Sequence, residues 1–188
     1  MTANDAIVAT SATGYAETAA SDILGEQYLK VHLREAQPLL FPIQQVVEII
    51  KLSTSEIVPL FQMPAWVMGV YNWRGEVLWM ADLGHFLGFS PWYEQPSQSS
   101  KQTVVVVGTN RSNQSDGPDK QASLGLLLNR VEGMVFCDPA AIYVMSEEIE
   151  LEAKMRPFIS GYWASAKQKK CPIVDIQSLL EAAKVGSI

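Results

Sequence analysis

The amino-acid sequence predicts an all-β fold with short helices, arranged as two similar small β-lobes and closed by a C-terminal helix. Three observations predict it. Short apolar segments rich in Val, Ile, Leu, Tyr and Trp recur along the chain, separated by clusters of Gly, Pro, Asn, Asp and Ser, as expected of many short strands and not of a parallel α/β sheet. Helical periodicity is confined to a few brief stretches. Finally, a weak internal echo is present: Val47 and Glu48 are followed by Gly69 and then Asp82, Leu83 and Leu87, while Val131 and Glu132 are followed by Gly161 and then Asp175, Ile176 and Leu180. The two Gly-to-Asp intervals differ by one residue.

Taken in order, residues 1–26 are dominated by Ala, Thr and Ser without a sustained period and read as a flexible N-terminal arm. Order is expected from Gln27, where Leu29, Val31 and Leu33 alternate with Lys30, His32 and Arg34 as in a half-buried strand. Pro38 and Pro42 bracket Leu39–Phe41, which reads as a short strand or an extended edge, because proline donates nothing to a central ladder. Ile43, Val46, Val47 and Ile50 fall at helical spacing and predict a short helix or irregular turn. Pro64 suits the first position of a helical turn.

Residues 63–88, MPAWVMGVYNWRGEVLWMADLGHFLG, are the most informative. Trp73, Arg74 and Gly75 fit a three-residue hairpin loop with Gly75 in the left-handed region and Arg74 at the apex. The flanks, Met68–Asn72 and Glu76–Ala81, suit pleated and largely buried surface, with Leu78 and Met80 on one face and Val77, Trp79 and Ala81 on the other. Such a strand needs cover on both sides, from its own fold or from another protein. Asp82 caps a short helix, Leu83–Leu87, stopped by Gly88.

Beyond it, residues 90–102 are a polar connection, Thr103–Val107 a buried strand, and residues 109–121 a long mobile loop. Strands follow at Ser123–Asn129 and Val131–Cys137, then an Asp138 cap with Pro139 at the first helical position. Strands at Phe158–Ala164 and Pro172–Val174 lead to a helix capped by Asp175, with Leu179, Leu180 and Ala183 on its apolar side, and residues 185–188 form a tail.

Composition narrows the function. The 188 residues suffice for a sizeable core, 48% of them are hydrophobic, and the net charge is −6. That charge argues against nucleic-acid binding and against a polybasic membrane anchor. No apolar run reaches the length of a membrane-spanning helix, and no secretory leader is evident, so a cytoplasmic location is expected. Cys137 and Cys171 are read as reduced, buried thiols. With two histidines, His32 and His85, and no H-E-x-x-H, G-x-S-x-G or P-loop sequence, an enzyme is disfavoured and neither cofactor nor metal is expected. The acidic run Ser146–Glu152 lacks the spacing of a calcium loop.

Arg74 has two readings: a turn residue satisfied locally, or a fixed fork for a carboxylate, pre-organised by the turn. Trp66, Trp73 and Trp79 lie within fourteen positions and are either core or the cap of an exposed patch. If they instead line a pocket, the chain is a small-ligand-binding β-barrel protein, the alternative to an adaptor.

The stretch Pro64-x4-Gly69-Val70-x-Asn72-x-Arg74-Gly75, followed by Val77 and Asp82-Leu83, resembles the signature of CheW-like chemotaxis adaptor domains. Further matches are Val46-x-Glu48-Ile49, Gly125 before Leu126–Leu128, Val131, Phe158-Ile-x-Gly161 and Ile173-Val-Asp175, so that the resemblance covers residues 27–184. It implies two intertwined five-stranded SH3-like β-barrel lobes with a groove between them. It also implies a non-catalytic adaptor whose partners are the regulatory domain of a CheA-like histidine kinase and the cytoplasmic tip of a methyl-accepting chemoreceptor. The wording around NWRGEVLWMADLGH is similar to cyanobacterial versions that serve type IV pilus motility and phototaxis. By this resemblance, the residue matching Glu48 lies near the arginine matching Arg74, and the partner-binding set is Val46, Glu48, Asn72, Arg74, Gly75, Val104, Gly125, Val131 and Met134. Trp73 and Trp79 depart from the smaller apolar residues usual in the family, and Asn129 from its common aspartate.

Overall fold

The computed structural model describes residues 25–34, 37–94, 100–109, 123–144, 151–164 and 170–185. The expected N-terminal arm, the 109–121 loop, the acidic run and the tail lie wholly or largely outside these residues.

The described residues form eleven strands in chain order. They are β1 (Glu26–Arg34), β2 (Gln37–Pro42), β3 (Val46–Leu52), β4 (Val67–Trp73), β5 (Glu76–Asp82), β6 (Gln102–Gly108), β7 (Ser123–Leu128), β8 (Arg130–Cys137), β9 (Ile142–Val144), β10 (Ile159–Ala164) and β11 (Lys170–Val174). The helices are α1 (Leu83–Phe86) and α2 (Ile176–Val185). One sheet has the order β3-β6-β7-β5-β4, and the other β8-β1-β2-β11-β10-β9. These orders are copies of one plan. In each, an antiparallel pair (β6-β7 or β1-β2) is inserted between strands from elsewhere in the chain, and its second strand runs parallel to a neighbour: β5 beside β7, and β11 beside β2. The first two strands thus belong to the sheet completed by the last strands, so the lobes are intertwined.

The echo marks equivalent places in the two lobes. Gly69 and Gly161 both sit at register shifts, between Val67 and Gly69 on β4 and between Ile159 and Gly161 on β10. The backbone N–H of Asp82 donates to Trp66 O at 2.9 Å, and that of Asp175 to Phe158 O at 2.8 Å. Both carboxylates then cap helices: Asp82 Oδ1 accepts from His85 N–H at 3.0 Å and Asp175 Oδ1 from Ser178 N–H at 3.1 Å.

Strand parity explains the continuous apolar runs. On β6, Val105 and Val107 enter a core shared by both sheets, while Val104 and Val106 enter the interior of the first lobe. On β2, Leu39 and Phe41 join the shared core and Leu40 the interior of the second lobe, with Tyr28, Cys137, Cys171 and Ile173. These strands are covered on both faces, so no polar alternation survives in VVVV or LLF. At roughly 1.5–3 kcal/mol for each fully buried aliphatic side chain, this two-sided burial dominates the energetics. α2 completes the shared core with Ile176, Leu179, Leu180 and Ala183.

Four expectations need correction. First, β2 is an interior strand. Pro38 and Pro42 stand opposite His32 and Tyr28 at its two ends, whereas its contact with β11 is centred at Leu40 opposite Ile173, between the prolines, so the missing N–H groups fall outside that join. Second, the short helix or irregular turn expected from Ile43 to Ile50 is confined to one 3-10 turn, Ile43–Gln45, and is followed by β3. A bulge between Val46 and Glu48 breaks the two-residue alternation, which is why the apolar spacing mimicked a helix. Third, β9 was not expected, and it extends the second sheet to six strands; in the first lobe the corresponding segment is reduced to a single bridge, Val58 to Val70.

The fourth concerns the hairpin. Trp73 pairs directly with Glu76, leaving a two-residue loop in which Arg74 (φ 56°) and Gly75 (φ 84°) are both left-handed. That is a type I′ turn, whose backbone twist matches the flanking strands better than the three-residue alternative.

Candidate functional site

The type I′ turn holds Arg74 at the tip of the first lobe. Asn72 Oδ1 accepts the Gly75 N–H at 3.0 Å, which braces the loop from two residues before it. Glycine enters the left-handed region at little cost, but an arginine there carries strain of about 1 kcal/mol.

Opposite this tip stands Glu48 on β3. Its Oε2 accepts the Trp73 indole N–H at 2.8 Å and lies 3.0 Å from Arg74 Nη2. The guanidinium carbon also sits 5.3 Å from the centroid of the Trp73 ring, within cation–π range. Because β3 and β4 are the two outer strands in the order β3-β6-β7-β5-β4, these contacts join the edges of the sheet and close the lobe into a barrel. The site is strongly asymmetric in exposure: the Arg74 side chain is 69% exposed and that of Glu48 30%. The indole N–H, followed by Arg74, holds the Glu48 carboxyl below its ordinary pKa against the opposing effect of partial desolvation.

The remaining residues of the set implied by the family resemblance are not gathered at this tip. Val46 and Val131 are half-buried against the shared core. Val104 has no exposed surface, and Gly125 is buried so closely that a Cβ there would lie 2.6 Å from Met80 Sδ. Neither reaches a partner directly; any influence they have passes through packing beneath β6 and β7. Met134 is 64% exposed beside Phe136 on the outer face of β8, on the other lobe. The structure therefore brings Glu48, Asn72, Arg74 and Gly75 together and leaves the other five elsewhere.

Sequence reasoning missed two features. Trp73 was read as core or patch, whereas its indole is a donor to Glu48 while its ring packs on the first-lobe interior. The second is the counterpart of Glu48 in the other lobe. Glu132 binds Lys30 Nζ at 2.9 Å and His32 Nε2 at 2.5 Å, with Arg130 Nη2 3.4 Å from the same imidazole nitrogen. His32, expected on the polar side of its strand, is buried there, and its hydrogen bond, with that of Lys30, lowers the Glu132 carboxyl to about 2. The pairing of Glu48 with Glu132 in the internal echo was the signal that could have found it.

Apolar surface is also present. Phe61 is 96% exposed on the loop that follows the Val58 bridge, and Val77 projects from β5. A cleft of about 540 Å³ lies between α1, the 64–66 turn and α2, lined by Trp66, His85, Phe86, Phe89, Lys154 and Phe158. Its aromatic wall is built by Trp66 edge-on to Phe86 at 4.8 Å and Phe86 tilted against Phe158 at 4.9 Å. Among the described residues no cluster of three or more His, Cys, Asp or Glu could hold a metal ion, and no helix is long and apolar enough to cross a membrane.

Comparison with known proteins agrees with this architecture. A family model described as the CheW-like domain matches residues 27–184. Among solved structures, the chain is similar to the scaffolding protein TtCheW from Thermoanaerobacter tengcongensis, with a TM-score of 0.62 and 17% identity over 80% of this chain and 89% of that one. At that identity the likeness concerns the fold. Curated protein sequences yielded no match.

Proposed function

Because the chain belongs to the CheW-like domain family, whose members are non-catalytic scaffolds of chemotaxis signalling, we propose that it couples a methyl-accepting chemoreceptor to a CheA-like histidine kinase. One lobe engages the regulatory domain of the kinase, and an adjacent face engages the cytoplasmic tip of the receptor. The protein contributes geometry: holding both partners raises the effective concentration of each for the other, and a rigid shared element carries receptor changes to the kinase. Its place is then the cytoplasm, attached to membrane-bound receptors through these partners. The similarity of the NWRGEVLWMADLGH segment to cyanobacterial versions favours a pathway serving type IV pilus motility or phototaxis.

The observation that carries this reading is the Glu48–Trp73–Arg74 cluster, which closes a barrel and leaves a guanidinium at an exposed tip. Arg and Trp are the residues on which interface energy concentrates.

Co-elution of the pure protein with the kinase regulatory domain and with the receptor tip tests the proposal. Both complexes are expected to form, Arg74→Glu to weaken at least one of them, and a Glu48→Arg/Arg74→Glu swap to recover part of the loss. Consumption of ATP by the protein alone would overturn the adaptor reading. So would failure to bind either partner combined with tight binding of a metabolite in the Trp66–Phe86 cleft, the outcome expected of a small-ligand-binding barrel.

A further inference from the structure

Two donors converge on one carboxylate oxygen, and they differ in how firmly they are held. The Trp73 indole reaches Glu48 Oε2 at 2.8 Å from a ring packed on the first-lobe interior with Ile50, Met68 and Tyr71. An indole N–H can only donate, and packing keeps it where it is. Arg74 reaches the same oxygen at 3.0 Å from a side chain that is 69% exposed. A guanidinium carries five N–H donors in a planar fork, and Glu48 engages it through Nη2. Its central carbon meanwhile lies over the Trp73 ring, within cation–π range.

These facts give the two residues different freedoms. If Arg74 leaves, Glu48 Oε2 still has the indole and is not stranded. An ion pair this open to solvent is screened and contributes little to stability, so leaving costs little. A carboxylate that meets the fork in bidentate fashion, with water excluded by docking, forms a stronger pair than the present one.

Resting on the adaptor reading above, we propose that Trp73 is a positioning residue that lets Arg74 change carboxylates: on docking, the guanidinium passes from Glu48 to an acidic side chain of the protein partner. The indole keeps Glu48 satisfied throughout, and the cation–π contact keeps the fork from straying. The planar fork matches the two oxygens of a carboxylate edge to edge, and a carboxylate is the anion that an unmodified protein partner presents. Val47 and Ile49 are exposed on the face of β3 opposite to Glu48, so apolar surface suited to a protein partner borders the strand that carries it.

The exchange is tested by calorimetric titration of the full chain with the kinase regulatory domain and with the receptor tip, using four variants. Arg74→Gln is expected to lower affinity for the partner that supplies the acid by about tenfold or more, the usual cost of a lost charge-assisted hydrogen bond. Trp73→Phe, which leaves Arg74 as the donor to Glu48, is expected to lower it by a few-fold. The combination Trp73→Phe/Glu48→Gln releases the fork again and is expected to recover most of that loss. A purely structural role predicts the reverse, since the second change would add its own damage. Arg74→Lys, with a charge but no fork, is expected to fall between wild type and Arg74→Gln.

A measurement without partners accompanies this series. In 15N-labelled protein the Trp73 indole resonance should stay near its wild-type position in Arg74→Gln and move in Glu48→Gln. If it moves equally in both, or if Trp73→Phe/Glu48→Gln binds more weakly than Trp73→Phe, the exchange is overturned while the adaptor reading stands. If the wild-type chain binds neither partner, the adaptor reading falls and the exchange falls with it. An inorganic phosphate titration that displaces the acidic partner at Arg74 would overturn the assignment of a protein carboxylate.

Discussion

Gly69 and Gly161 occupy equivalent bulges in the two lobes, and each leaves room for a carbonyl of the neighbouring segment. A Cβ on Gly69 would lie 2.1 Å from Val58 O, and one on Gly161 would lie 2.5 Å from Tyr143 O. Gly69 also has φ of 134°, a conformation that other residues rarely adopt.

Alanine at either position should therefore destabilise the protein, and unequally. Gly161→Ala forces β9 away from β10 and is expected to cost about 2 kcal/mol, in the range of overpacked cores. Gly69→Ala meets a closer carbonyl and adds backbone strain of roughly 1–3 kcal/mol, so its loss should be the larger. Urea midpoints at constant slope would measure both; equal or negligible effects would count against the bulge equivalence.

Arg74 is expected to be a site where stability and binding oppose one another. Asparagine is favoured at the first central position of a type I′ turn. Arg74→Asn should relieve about 1 kcal/mol of left-handed strain while giving up a solvent-exposed ion pair that contributes little. The expected outcome is a small net gain in unfolding free energy together with weaker partner binding. A variant that is both less stable and fully competent to bind would refute this account.

Glu132 gives the second lobe a directional response to acid. Its folded-state pKa, about 2, lies below the ordinary value of 4.5 because of His32 and Lys30. A depressed carboxyl contributes stability above its unfolded pKa and loses that contribution as pH falls toward the folded one. Wild type should accordingly lose stability between about pH 4.5 and 2 more steeply than Glu132→Gln. The two stability curves should converge at the acid end, as followed by urea midpoint against pH; parallel curves over that window would show that the cluster contributes nothing.

Much of this protein is written locally. The alternation of Leu29, Val31 and Leu33 marks β1, Asp82 and Asp175 announce the two caps, Arg74-Gly75 marks a hairpin, and the N-x-R-G…D-L block reveals the family. Each depends on backbone preference or burial within a few residues, which composition and spacing record directly. What lies beyond that range was settled by tertiary packing. The interior position of β2 depends on a join centred at Leu40 and Ile173, 133 residues apart in sequence by their numbering. The bulge at Val46 disguised β3 as a helix, and only its ladder with β6 reveals the strand. The partner of the Trp73 indole could not be read from local sequence either, because it exists only when the outer strands of one sheet meet. Local sequence carries the preferences of the chain for helix, strand and turn, whereas register and edge closure arise from which distant surfaces exclude water together. That is why the tip and its arginine were legible beforehand, whereas the contacts of Glu48 with Trp73 and Arg74 were decided by the fold.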